Sequence, residues 1–191
     1  MTSIRRTVAA TAVAASALVG AAAIAPAANA APATAQSYVT QMSCTNAHGT
    51  IVYSPGLLKN KSRATAATVN ASFTGCTDKW GGHDETGTGT LSLSLSGTSS
   101  YGHVSESGSF VINWPQFYNP TTGTATLSGP AADGTYTLSG STTGGAFQGG
   151  LFSLTIRQTR TNTGATGLAG HPLKKQWFTN TTPLTVSHNL G

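Results

Sequence analysis

Thr90-Leu91-Ser92-Leu93-Ser94-Leu95-Ser96 alternates apolar and polar residues without a break. Successive side chains on an extended chain point to opposite faces, so this run buries its leucines on one side and wets its hydroxyls on the other. It is a half-buried β-strand. The same period returns at Val69, Ala71 and Phe73, at Phe110, Ile112 and Trp114, and at Phe152, Leu154 and Ile156. No segment sustains apolar spacing of three and four residues, so no helix of useful length is predicted.

Turn signals separate the runs. Ser54-Pro55-Gly56 reads as a turn, because Pro presets φ and Gly accepts φ > 0. Gly81-Gly82, Pro115, Gly129-Pro130, Gly144-Gly145 and Gly149-Gly150 mark others. The predicted strands are 38–44, 50–53, 64–74, 87–96, 108–114, 124–127, 135–139, 151–160 and 184–187. Thr161 to Gly191 otherwise reads as a loose connection. About nine short strands with frequent turns point to an all-β fold, a single antiparallel β-sandwich of Ig-like or jelly-roll-like form. A sandwich is preferred to a barrel because strand lengths are uneven and loops vary.

One repeat is local. Gly123-Thr124-Ala125-Thr126-Leu127-Ser128-Gly129 recurs as Gly134-Thr135-Tyr136-Thr137-Leu138-Ser139-Gly140. The copies are too short for a solenoid or propeller unit. They predict one hairpin that carries Leu127 and Leu138 inward.

The N-terminus reads as a targeting segment. Arg5-Arg6 precedes an apolar run from Thr7 to Ala25, and Ala28-Asn29-Ala30 forms an A-x-A cleavage signal. Residues 1–30 are thus expected to be a signal peptide for the general secretory route, 31–36 a disordered leader, and 37–191 the secreted domain. The expected location is extracellular, with the product released or held non-covalently at the cell wall. No later stretch is long and apolar enough to span a bilayer.

Only 8% of the 191 residues are charged, so Ser, Thr and Gly carry the polarity. Losing Arg5 and Arg6 from a formal charge of +5 leaves +3. The remaining cations are scattered, which argues against nucleic acid as a partner and makes anionic cell-surface polymers a minor alternative. Cys44 and Cys76 are the two cysteines, and outside the cell they are expected to form one disulfide.

Cys44, Gly49-Thr50-Ile51-Val52-Tyr53-Ser54-Pro55-Gly56-Leu57, Phe73-Thr74-Gly75-Cys76 and Trp114-Pro115 form turn-and-strand patterns, continued by the run from Leu138-Ser139-Gly140 to Phe147-Gln148-Gly149. They resemble those of small secreted β-sandwich proteins of actinobacteria. The resemblance implies fold and secretion and carries no activity. Many of those proteins have a second cysteine pair in the C-terminal half, which this chain lacks.

Candidate chemistry is sparse. His83-Asp84-Glu85 offers metal-ligand types, with His103 and Glu106 able to join if the next strand folds back. A glycosidase would need two facing carboxyls, and Glu85 with Glu106 is the pair considered. No G-x-S-x-G motif supports a hydrolytic triad. No metal or cofactor is expected. The rings Trp80, Tyr101, Tyr118 and Trp177, with Phe117 and Phe178, fall in or beside predicted loops and could stack on a sugar or anchor a protein. Trp114 ends an alternating run and belongs in the core. The reading is a non-catalytic extracellular binding or envelope-associated module, its partner a glycan or a protein. One alternative is a small carbohydrate-active or metal-dependent enzyme using the His83-Asp84-Glu85 loop. Another is a protease inhibitor presenting Ser54-Pro55-Gly56.

Overall fold

A computed structural model of the chain describes residues 37–79, 86–115, 118–163 and 172–189. The expected signal peptide and leader lie outside the described residues. So do Trp80, His83, Asp84, Glu85, Phe117 and His171, and only the backbone of Tyr118 is described.

Nine antiparallel strands are described, and no helix among them: β1 Tyr38–Leu57, β2 Arg63–Asp78, β3 Thr86–Ser99, β4 Val104–Trp114, β5 Tyr118–Gly129, β6 Thr135–Gly144, β7 Leu151–Thr163, β8 Leu173–Asn180 and β9 Leu184–Asn189. From β1 to β8 each strand pairs with the next, except that β8 also pairs with β1. The sheet therefore closes into an eight-stave up-and-down barrel, which corrects the expected sandwich. A sandwich needs connections that cross between two layers, and the pairing of the described strands shows none. Closure also leaves no unpaired strand edge.

The eighth stave is built from two pieces. β8 and β9 both run antiparallel to β1 and to β7, interrupted at 181–183. The Asn180 side chain spans the interruption. Its Oδ1 accepts from the Ala47 amide at 2.8 Å, and its Nδ2 donates to the Thr45 and Thr182 carbonyls, each at 2.9 Å. The side-chain amide replaces ladder bonds that the break removes.

The alternating runs behave as read. Leu91, Leu93 and Leu95 are buried, while Ser92, Ser94 and Ser96 are exposed. Leu127 pairs directly with Leu138, and both are fully buried, as the repeat predicted. Cys44 and Cys76 are disulfide-bonded across β1 and β2.

The interior is divided along its axis. The lower end, which carries the β2–β3, β4–β5 and β6–β7 connections, is aromatic. Trp114 packs edge-on against Phe147 at 6.1 Å and lies 6.3 Å from Phe73, and Phe110 meets Phe152 at 5.1 Å. Phe147 comes from the β6–β7 connection and is fully buried, closing this end as a plug. The upper end, which carries the β1–β2, β3–β4 and β5–β6 connections, is polar inside. Tyr53, Thr65, Glu106, Tyr136 and Gln176 are all buried there.

Candidate functional site

The outer wall has two contrasting faces. Strands β3 to β6 carry one charged residue, Glu106, and it points inward. Their outer surface is mostly serine and threonine, with Val111, Asn113 and Asn119 among them. Of the eight Lys and Arg residues beyond the expected signal peptide, seven lie elsewhere in one region, six of them toward solvent and Arg63 with its Nε enclosed at the upper end. Lys59, Lys61 and Arg63 belong to the β1–β2 connection and the start of β2, and Arg157, Arg160, Lys174 and Lys175 belong to β7 and β8. Cations that are scattered in the sequence are gathered because closure sets β8, with β7 next to it, beside β1.

Trp177 is the centre of this basic face. It pairs with Thr50 on one side and Arg160 on the other. The Arg160 guanidinium lies 5.2 Å from the indole centroid and the Lys175 ammonium 4.8 Å from it. Both are within cation–π range. His48 and Arg157 lie one row below, each opposite Thr179.

Local irregularities aim these side chains. Ile156 faces the core, and strict alternation would turn Arg160 inward as well. The β7–β8 register shifts between Gln158 and Arg160, and Arg160 is exposed instead. A bulge of this kind re-aims a side chain without breaking the sheet. Leu173 is buried, so alternation would also send Lys175 inward. The register shifts beside Asn162 and beyond Val52 turn it to the outer wall.

Asp133 is the acid near this face, beside Arg157. Its carboxyl accepts from Thr135 Oγ1 at 2.7 Å and from the Thr135 amide at 3.1 Å. The hydroxyl bond, then the amide bond, then Arg157, hold its pKa below the ordinary 3.8. A lowered folded-state pKa contributes stability above that ordinary value and loses it as pH falls through the lower folded value. Wild type should therefore be more stable than Asp133→Asn at pH 6, with the two converging at strongly acidic pH. Thermal unfolding across that range checks this, and a gap that widens on acidification would contradict it.

A groove of about 750 Å³ crosses the neutral face. Its floor is an in-register row of small residues, Gly108, Ala125 and Gly140. Added Cβ atoms would stand 2.0 Å from the Ser94 carbonyl oxygen at Gly108 and 1.9 Å from that of Thr124 at Gly140. Only glycine allows the strands so close. A second row, Ser107, Thr126, Ser139 and Ser153, forms a hydroxyl wall.

The described residues among those singled out in the sequence lie apart. Tyr101 is 41% exposed on the upper rim, where its amide donates to the Leu58 carbonyl at 2.8 Å. Phe178 points into the core and is not a surface ring. Glu106 pairs with Gly97, and from Thr86 to Gly97 is roughly 36 Å of strand. His83, Asp84 and Glu85, considered with it, lie outside the described residues. Asp78, the other buried acid described, is at the lower end. Ser54-Pro55-Gly56 is part of β1 rather than a projecting loop. No group of three potential metal ligands occurs among the described residues. No helix among them is long and apolar enough to cross a membrane. No protein-family description, curated protein or solved structure matches the chain.

Proposed function

We propose that the chain is a secreted, non-catalytic binding protein, held at the cell envelope by contact between the Trp177 face and an anionic glycopolymer. One observation carries this reading: two cations share one indole on the outer wall, and bulges turn both outward. Like charges close together repel, and a polymer of phosphate or uronate groups relieves that repulsion. The indole adds a stacking surface for the sugar rings.

Geometry supports a binder over a hydrolase. Among the described residues, the buried acids Glu106 and Asp78 lie at opposite ends of the barrel and cannot act on one bond. The Tyr53 hydroxyl is held protonated at neutral pH, chiefly by burial and then by the nearby Tyr136 and Glu106. It therefore donates to Gln176 Oε1, at 3.3 Å, and offers no base.

The test is retention on purified anionic wall polymer against neutral glycan. Retention should weaken as salt rises, since exposed charges are screened. Trp177→Ala and the double change R160A/K175A should each weaken it at least tenfold. Equal retention by all three proteins would sink the proposal. The groove supports a second reading, a neutral glycan lying along the hydroxyl row. In that case the neutral polymer would be retained, and Ser139→Arg, not Trp177→Ala, would abolish it.

A further inference from the structure

Glu106 is 1% exposed and lies inside the upper end of the barrel. Its Oε1 accepts a hydrogen bond from Thr65 Oγ1 at 2.5 Å. Gly97 makes that contact possible. It is the register partner of both Thr65 and Glu106, and without a side chain it lets β2 and β4 meet across β3. Glu106 Oε2 is enclosed and has no hydrogen-bond partner.

Arg63 lies on the same strand as Thr65, roughly 7 Å nearer the rim. One terminal nitrogen, Nη2, donates to the Gly56 carbonyl on β1. Its Nε is enclosed and also lacks a partner. The upper end thus presents an enclosed acceptor and an enclosed donor that do not satisfy each other.

The surroundings are polar and ordered. Gln176 Nε2 donates to the Tyr136 hydroxyl at 3.4 Å and to Gln158 Oε1 at 3.2 Å. Burial, above all, raises the pKa of Tyr136, so its hydroxyl keeps its proton at neutral pH and can donate. The interior of an eight-stranded barrel is wide enough either for side chains alone or for one small ligand. The aromatic residues fill the lower half, and the polar half is the part with unmatched groups.

We infer that the upper end binds a compact ligand that carries a nitrogen donor beside an oxygen acceptor, as an amino acid or a primary amide does. The nitrogen would donate to Glu106 Oε2, and the oxygen would accept from Arg63 Nε. A simple amine would leave Arg63 unmatched, and a simple carboxylate would leave Glu106 unmatched. A buried polar group without a partner is costly, so ligands with one function bind less well.

Calorimetric titration of the purified chain with four probes of similar size tests this: L-alanine, L-alaninamide, ethylamine and propionate. L-Alanine or L-alaninamide should bind at least tenfold more tightly than ethylamine and propionate, and whichever binds tighter identifies the source. Glu106→Gln should weaken that binding at least tenfold, and Arg63→Met should do the same from the other side, so the test survives if one variant fails to fold. Trp177→Ala should leave it unchanged, which separates this site from envelope retention. No saturable binding by any probe, equal binding by all four, or undiminished binding by a folded Glu106→Gln or Arg63→Met protein would each overturn the inference.

Discussion

Trp114→Ala should lower the stability of the folded chain by about 4–5 kcal/mol, the upper part of the range for removing a buried aromatic side chain. Three observations place it there. Trp114 is 2% exposed and packs between Phe73 and Phe147, which leaves few ways for the site to collapse. Its indole also lies over Gly89, where an added Cβ would stand 2.8 Å from the ring. Finally, its Nε1–H donates to Thr121 Oγ1 at 3.0 Å, and Thr121 is fully buried. Truncation leaves both a cavity and an unpaired hydroxyl. Urea unfolding should show a lower midpoint with an unchanged slope, because the barrel persists with a hollow lower end. A loss below about 2 kcal/mol would mean that the aromatic layer is not the packed centre of this end.

The second large effect is expected at the disulfide. Cys44 and Cys76 are 32 residues apart and face each other in the β1–β2 ladder. A loop of that length, when closed, removes chain entropy from the unfolded state equivalent to about 3–4 kcal/mol in the polymer description. The double change C44A/C76A should therefore destabilise by about that amount, a large share of the ~5–15 kcal/mol that holds a domain together. Alanine avoids burying two hydroxyls at sites with 0% exposure. The native ladder from Met42 to Ser54 remains, so the fold should survive. Reduction should destabilise wild type similarly and leave the double variant unaffected. A variant as stable as the oxidised protein would contradict this account.

The count of nine strands agrees with expectation for reasons that partly cancel. Two predicted strands, 38–44 and 50–53, are parts of β1. Thr45 to Gly49 and Ser54 to Gly56 look like interruptions, because polar residues, Gly and Pro break the pattern. Within β1, proline is tolerated where the register to β8 shifts, and β2 pairs with it as far as Ser54. β8 was absent from the predicted strands. Its bulges put Lys175 outside two residues after buried Leu173, and it turns polar Gln176 inward, so no period of two survives. The signal in that segment is Trp177 itself, legible in the sequence as a ring but without the cations that lie beside it.

Period-two alternation, read from the sequence alone, determined that the chain is β, that Leu91, Leu93, Leu95, Phe110 and Trp114 face inward, and that Ser92, Ser94 and Ser96 face water. The local repeat determined the hairpin at Leu127 and Leu138, and the presence of two cysteines their pairing. Alternation assigns each side chain to a face of its strand and says nothing about which strand edges meet. A sandwich and a barrel bury the same residues. The choice fell to long-range hydrogen bonding, when β8 met β1 and no edge remained. The irregular β7–β8 pairing brought Arg160 and Lys175 to one indole, and the β2–β3–β4 pairings placed Glu106 inside the barrel near Arg63.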